Sequence, residues 1–348
     1  MEPKPQNNTT RATPDKSDGK LANLPLRGFG TFFSGLLVLC LFLTIRASFW
    51  TLPVPNNSAI ATPQRLVTLG NAALEAALVL GIKPVGAAPW VGAGNPGSFP
   101  SFLDAEQVEG IEYLGDVNQP SLERILDLKP DLILGSRTEH RTIYALLSQI
   151  APTVLCDVQA ASWQESFRTY ARALKHETAA EKVISRYDRR LARLHQNLGD
   201  RAAALQVSVV RFMPAQVRLY LRGSHIGRIL ADAQLSRPPA QDRPVWKETI
   251  SLETIPRADG DVIFVALSDP QTRLYRQFQR NPLWQRLQAV RARQVYEVDF
   301  EYWIGGEGAI AANLVVDDLL RYLAKVRSTA NLLTQNPPTP RERREDDL

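Results

Sequence analysis

Cysteine is almost missing from this chain. Cys40 and Cys156 are the two in 348 residues. They form no C-x-x-C pair, which excludes zinc-ribbon and iron–sulfur readings. Cys40 sits in an apolar run and Cys156 in the strand-like segment TVLCDV, so no disulfide joins them in this reading. Histidine is also scarce, at four, and too scattered for a protein-held metal site. No H-E-x-x-H, no G-x-S-x-G and no G-x-x-x-x-G-K-[ST] is present, so zinc peptidase, nucleophile-elbow hydrolase and ATPase readings lack their motifs. There is no dense Lys/Arg block with interleaved aromatics. The net charge of +5 therefore does not point to nucleic acid. It suits an anionic small ligand. Gly92-x-Gly94-x-x-Gly97 imitates a dinucleotide fingerprint, but Pro96 and Pro100 bracket the third glycine where a helix must open. It reads as a loop.

Long apolar runs are absent except for one. Residues 29–45, FGTFFSGLLVLCLFLTI, follow a polar segment, 1–28, that carries Lys20 and Arg27. The run is near the lower limit for spanning a bilayer, and the preceding positive residues keep the N-terminus cytoplasmic. Export follows, by a cleaved signal or a retained anchor. LVLC at 37–40 resembles a lipobox but has Leu39 where a small residue belongs. No twin-arginine pair precedes the run. At the other end, residues 328–348 are Pro-rich and charge-dense and read as a disordered tail.

Between these ends the sequence alternates. RLVTLG, PVGAA, DLILGS and TVLCDV read as buried parallel strands, and so do SVVRF, DVIFVAL and QVYEVDF later. Helical patterns separate most of them, at 72–80, 121–128, 141–150, 227–233, 283–290 and 309–323. This is an α/β plan. No strand appears from 162 to 198. There Thr178-Ala-Ala-Glu181 has a capping-box spacing. Val183, Ile184, Tyr187, Leu191, Leu194 and Leu198 then make one apolar stripe on a helix of about 21 residues, roughly 30 Å long. Gly199 ends it. The expected division is an N-terminal α/β lobe at 61–160, a linking helical segment at 162–198 and a C-terminal α/β lobe at 205–326.

One unit is written twice. SLERILDLKPDLILG begins at Ser121 and SLETIPRADGDVIFV at Ser251. Ser, Leu, Glu, Ile, Asp and Ile share offsets. Each serine is an N-cap, and Glu123 and Glu253 fall in a first helical turn. A helix that precedes a strand in such layers starts at the edge where ligands bind. The matched acids are expected to mark equivalent surfaces on two lobes.

The sequence resembles the substrate-binding proteins of iron–siderophore and ferric-citrate ABC importers, whose fold is shared with cobalamin and haem binders. RLVTLGNAALEAALVLGIKPVGAA, YLGDVNQPSLERILDLKPDLILGS, VSVVRFMPAQVRLYLRGSHIGRIL, ISLETIPRADGDVIFV and NPLWQRLQAVRARQVYEVDFEYWIGGEG carry the resemblance, in family order over about 64 to 325. It implies two Rossmann-like lobes joined by a single long α-helix, the class III periplasmic binding protein plan. It implies a monomeric, periplasmic binder without catalysis or cofactor, which takes chelated Fe(III) and no nucleic acid. It implies that Glu123 and Glu253 meet arginines of an inner-membrane permease dimer. Exposed salt bridges contribute only about 0.2–1 kcal/mol each, so their role would be register.

Positions after strand ends give the expected ligand set: Trp90; Arg137, with His140 and Arg141; Arg211; Tyr220 and Arg222; and Tyr302 with Trp303. Guanidinium groups match anionic oxygens, and aromatics cover apolar faces. The resemblance supports Arg211 and Trp303 most. Arg137 and Arg141 equally suit a solvated helix start, and His140 suits a surface position better than an iron ligand. Haem, cobalamin or another chelate on the same fold stays open. So does an exported hydrolase using Glu123 and Glu253.

Overall fold

The structure is a computed structural model that describes residues 63–90, 97–267 and 272–324. The chain divides into two units, residues 1–58 and 59–348, and every described residue belongs to the second. The expectations for 1–28, 29–45, Cys40 and the 328–348 tail lie outside the described residues, as does most of the glycine-rich stretch at 92–97.

All seven apolar runs read as strands contain strands. In chain order these and the remaining strands are β1 Leu66–Leu69, β2 Gly86–Ala88, β3 Glu112–Tyr113, β4 Gly115–Asp116, β5 Gln119–Pro120, β6 Leu132–Ser136, β7 Thr153–Cys156, β8 Val207–Phe212, β9 Val217–Tyr220, β10 Lys247–Ile250, β11 Val262–Leu267 and β12 Val295–Asp299. The first sheet runs β3-β2-β1-β6-β7, parallel throughout. β1 and β6 are buried on both faces, as central parallel strands must be. The strand order reverses between them, which opens a crevice at their C-terminal ends. The second sheet runs β10-β9-β8-β11-β12. Here β8, β11 and β12 are parallel, while β9 runs antiparallel to both β8 and β10. The molecule is thus two α/β lobes, one with a parallel sheet and one with a mixed sheet, joined by helices.

The join contains two helices in succession. Trp163–Leu174 opens with a capping box in which Ser162 and Glu165 satisfy each other's backbone N–H groups. It ends at Lys175 in a left-handed conformation, φ 61°. Glu177–Leu198 follows. The Thr178–Glu181 spacing does not cap it. The helix starts a residue earlier behind His176, and Glu181 pairs with Arg168 at 2.7 Å instead. The expected stripe is buried at Ile184, Tyr187, Leu191, Leu194 and Leu198, joined by Ala180. Val183 lies half-buried at its margin.

One apolar core runs through both lobes. It takes Leu66 and Leu134 from the first sheet, Tyr170, Tyr187 and Leu191 from the joining helices, Val209 and Phe264 from the second sheet, and Val315 and Leu319 from the last helix, Ala309–Leu323. That last helix packs against Asn71–Val79 of the first lobe and against Glu177–Leu198. Separating the lobes would re-expose these side chains at about 1.5–3 kcal/mol each.

The duplicated unit has a shared structural task. Ile125 and Ile255 are both fully buried. Asp131 accepts from the N–H groups of Gln64 (2.6 Å) and Arg65 (3.0 Å), at the entry to β1. Asp261 accepts from the N–H of Gln206 (2.9 Å), at the entry to β8. Each aspartate therefore ties the start of its own strand to the start of the neighbouring central strand. The helices differ. Leu122–Asp127 is an α-helix, whereas Leu252–Ala258 is a 3₁₀ turn. Pro256 lies inside the second and has no N–H to extend a helical ladder.

Candidate functional site: a cleft between the lobes

The C-terminal ends of β1, β6 and β8 converge on a cleft. A cavity of about 500 Å³ is bordered by Asn71, Trp90, Ser136 and Glu139 from the first lobe and by Arg211, Arg218, Tyr220, Lys247 and Glu307 from the second. A second cavity of about 290 Å³ adjoins it and shares Gln159, Tyr220, Trp246, Ile304 and Glu307.

The cationic wall follows from strand alternation. In β8, Val207, Val209 and Arg211 share one face. Arg211 stands directly opposite Arg218 on β9. Two residues on from Arg218, Tyr220 stands opposite Lys247 on β10. The same sheet face therefore carries Arg211, Arg218, Tyr220 and Lys247. Like charges directly across a ladder are destabilising, and here two arginines hold that relation at the cleft. Arg211 is 4% exposed. Its guanidinium lies 4.7 Å from the Phe300 ring centre and 5.8 Å from that of Trp90. No carboxylate among the described residues pairs with it, and its Nε–H has no acceptor. The Lys247 ammonium rests 4.8 Å over Trp246. Loss of hydration holds its pKa below the usual lysine range, with Arg218 and Arg211 adding repulsion.

Two further polar atoms at this cleft are buried without partners among the described residues, Ser136 Oγ and Glu139 Oε2. Unpaired buried polar atoms are uncommon in folded proteins. Together with Arg211 Nε they border the larger cavity from both lobes. No three His, Cys, Asp or Glu side chains converge as a metal set among the described residues.

The loop Gly305–Gly308 closes the cleft from below through backbone contacts. Asn71 Nδ2 donates to the carbonyls of Trp90 and Gly305, both at 2.9 Å, and Asn71 Oδ1 accepts from the Trp90 N–H at 3.0 Å. Glu75 accepts from the N–H groups of Glu307 (3.1 Å), Gly308 (3.1 Å) and Ala311 (2.8 Å). It thereby caps the last helix from the first lobe. Burial pushes its pKa up to about 7, although those N–H groups pull the other way.

The expected ligand set divides. Arg211, Trp90 and Tyr220 border the larger cavity. Trp303 borders the smaller one, yet its indole is fully buried, and Nε1–H donates to Asp318 at 2.9 Å. The Tyr302 hydroxyl donates to the same oxygen at 2.7 Å, and Tyr302 borders neither cavity. Arg222 is exposed and pairs with Asp242 at 2.8 Å. Arg137 is exposed, with Nη2 directed at the Leu155 carbonyl at 3.4 Å. Arg141 is exposed on a 3₁₀ turn. His140 is no surface residue. It is fully buried, with Nε2 2.8 Å from the Val117 carbonyl and Nδ1 2.9 Å from the Ser136 carbonyl and 3.1 Å from the Ser136 N–H. Burial lowers its pKa, while the two carbonyls pull the other way. Glu123 and Glu253 are exposed.

Sequence reasoning missed Arg218, Lys247, Glu139 and Glu307. The alternation V-R-L-Y in β9 was the available signal for Arg218.

A family model for periplasmic binding proteins matches residues 66–302. The chain belongs to that family. It is 35% identical to the probable siderophore-binding lipoprotein YfiY of Bacillus subtilis over 78% of this chain and 86% of that protein. It is 31% identical to the achromobactin-binding periplasmic protein of Dickeya dadantii, over 74% of this chain and 86% of the relative. Among solved structures, Staphylococcus aureus SirA complexed with staphyloferrin B superposes with a TM-score of 0.68 at 30% identity, over 76% of this chain and 94% of SirA. These relatives are binding proteins, as the reading of a binder without catalysis expects. The family is one of periplasmic proteins and lipoproteins, which supports a periplasmic or lipoprotein location for this chain.

Proposed function

We propose that the protein is the solute-binding component of an ABC importer, and that it captures an anionic ferric siderophore or ferric citrate and delivers it to an inner-membrane permease dimer. The observation that carries this is the Arg211–Arg218 pair. A buried arginine with no acid partner, set directly across a ladder from a second arginine, costs stability. An anionic chelate between them removes that cost. Trp90, Phe300 and Tyr220 supply flat apolar surface beside the cations. YfiY, the achromobactin-binding protein and SirA bear names or bound ligands of iron-chelate systems, which supports the same cargo class. The iron arrives already coordinated by its chelator.

In this reading Arg211, Arg218, Lys247, Tyr220 and Trp90 hold the ligand. Glu123 and Glu253 present one docking acid per lobe to the permease. The protein works as a monomer, and residues 29–45 serve as signal or inner-membrane tether ahead of the lobes at 61–160 and 205–326. The helix Glu177–Leu198 acts as a rigid strut, and the shared core keeps lobe motion small.

Tryptophan fluorescence of the full chain tests this, titrated with ferric citrate, ferric hydroxamates, ferric catecholates, haem and cobalamin, each beside its metal-free form where one exists. Trp90 and Trp246 border the cleft and report occupancy. Saturable quenching by one ferric class at micromolar concentration or below is expected. Response to cobalamin or haem alone would overturn the cargo assignment.

A further inference from the structure

The cleft that gathers cations also holds two acids. Glu307 borders both cavities and Glu139 borders the larger. Neither is in an ion pair: the salt bridges among the described residues all lie elsewhere. Arg228 borders the smaller cavity beside Glu307, but its guanidinium donates to the carbonyls of Ala161 and Gln159. Glu139 Oε1 accepts from Gln159 Nε2 at a long 3.4 Å, and its Oε2 has no partner. The Glu307 backbone N–H is taken by Glu75, while its carboxyl group makes no hydrogen bond among the described residues. Capture of an anion asks for no such acids if they are charged.

A proton resolves the conflict. Loss of hydration pushes the Glu307 pKa up to about 8, with repulsion from Glu139 and Glu75 adding to it. At neutral pH Glu307, half-buried at the cavity edge, is then a carboxylic acid with an O–H to donate, the form a poorly hydrated carboxyl takes when no cation pairs with it.

We propose that Glu307 is a specificity-determining hydrogen-bond donor of this cleft, presenting its protonated carboxyl to an oxygen of the anionic chelate, so that chelate capture and proton uptake are linked. This rests on the proposed capture of an anionic chelate. The sign follows from linkage. An anionic oxygen beside Glu307 favours the protonated form further. Between the empty and occupied values the complex holds about one proton more than the empty protein. Affinity is therefore flat below about pH 7 and falls toward about tenfold per pH unit above about 8.

The groups that face Glu307 leave few competitors. Glu139 comes from the turn Arg137–His140 and Glu75 from Asn71–Val79. His225 and Arg228 come from the helix His225–Asp232. Burial pushes His225 down to about 3, so it stays neutral. The Tyr170 phenol on Trp163–Leu174 is pushed well above its ordinary value, chiefly by burial. Lys247, held below its usual range, is the group across the cleft, among the described residues, that is displaced toward the same limb.

Ferric citrate binding by the full-length protein tests this from pH 6.5 to 9.5, with ferric hydroxamate and catecholate chelates alongside. Wild type, Glu307→Gln and Glu139→Gln are compared. Glutamine keeps a donor at every pH. Glu307→Gln is expected to bind within a few-fold of wild type at pH 6.5 and at least tenfold better than wild type at pH 9.5. Calorimetry at pH 8.5 in buffers of different ionisation enthalpy is expected to show net proton uptake, up to about one proton per chelate from Glu307, in wild type and a clearly smaller uptake in Glu307→Gln, where Lys247 alone remains. Glu139→Gln removes a repelling charge and moves the wild-type break to lower pH. Superimposable pH profiles for wild type and Glu307→Gln would overturn the inference alone, because the slope would then belong to Lys247 or to the chelate. A wild type that binds no ferric chelate at pH 6.5 would overturn the capture reading, and the inference with it.

Discussion

Replacing Arg211 by methionine is expected to move stability and affinity in opposite directions. Arg211 is 4% exposed, faces Arg218 across the ladder and has no acid partner among the described residues. Burying an unpaired ion costs several kcal/mol after relaxation, and the directly opposed like charge adds about 0.2–1 kcal/mol. Against this stand two ring contacts, at 4.7 and 5.8 Å, each worth about 0.5–2 kcal/mol. Methionine keeps the apolar stem between Trp90 and Phe300 and discards the charge. The balance is a gain of about 1 kcal/mol or more, which raises the melting temperature by roughly 2–4 °C for a folded unit of this size. For binding, the loss is that of charged hydrogen bonds to the chelate, about 1.5–3 kcal/mol, or roughly 10- to 150-fold in Kd. Thermal melts without chelate and fluorescence titration at pH 7 read the two quantities. Arg222→Met is the control, since its exposed pair with Asp242 contributes at most about 1 kcal/mol. The reasoning is refuted if Arg211→Met melts several degrees below wild type and binds the chelate equally well. Arg211 would then be a structural residue.

Gly305→Ala would drive a Cβ into the Trp90 ring. It is expected to cost about 1–3 kcal/mol and to shift the emission of Trp90, and an unchanged melt and spectrum would show that the loop yields freely. Glu75 has a folded pKa near 7 against an ordinary value of about 4.3, so the folded state holds the extra proton between these values. Its contribution is full below about pH 4 and lost as pH rises through 7, up to about 4 kcal/mol. Subtracting the Glu75→Gln stability profile from that of wild type isolates this loss, and parallel profiles would refute it. Exchanging Glu123 and Glu253 together for alanine is expected to leave chelate affinity within a few-fold of wild type and to abolish uptake in cells. Uptake at the wild-type rate would remove both from the docking surface.

The fold was legible where burial is two-sided. β1, β6 and β11 read as apolar runs because helices cover both faces of their sheets, and Ala309–Leu323 was bounded correctly at both ends. Arg211 was legible for the same reason, as the one charge inside VSVVRF. Arg218 and Lys247 were not, because β9 and β10 are four-residue strands with polar residues at the cleft face. The turn between β8 and β9, Met213 to Gln216, carries no Asn-Gly or Asp-Gly signal. Arg137 and Arg222 lie just past strand ends as expected. Local partners, the Leu155 carbonyl and Asp242, decide where their side chains go, and periodicity does not encode that choice. Glu307 lies in a Gly-Gly-Glu-Gly loop whose path is set by Glu75, a contact made across 232 positions of sequence.

The repeated unit separates what the fold needs from what it does not. Its serine caps a turn, its isoleucine fills a core and its aspartate ties the entry of a central strand, in both lobes. The glutamate at its third position has no comparable task. Glu123 makes no hydrogen bond or ion pair among the described residues. Glu253 reaches the hydroxyl of the cap, Ser251, and its own backbone N–H, which hold its pKa below the usual carboxylate range. A favourable first-turn dipole contributes about 0.3–1 kcal/mol on a regular helix, and less on the short 3₁₀ turn that carries Glu253. Serine, isoleucine and aspartate recur because two sheets need the same clamp. The acid recurs on two exposed turns of different helical type, where stability gains little from it, and a partner that touches both lobes at once is the account that uses both copies.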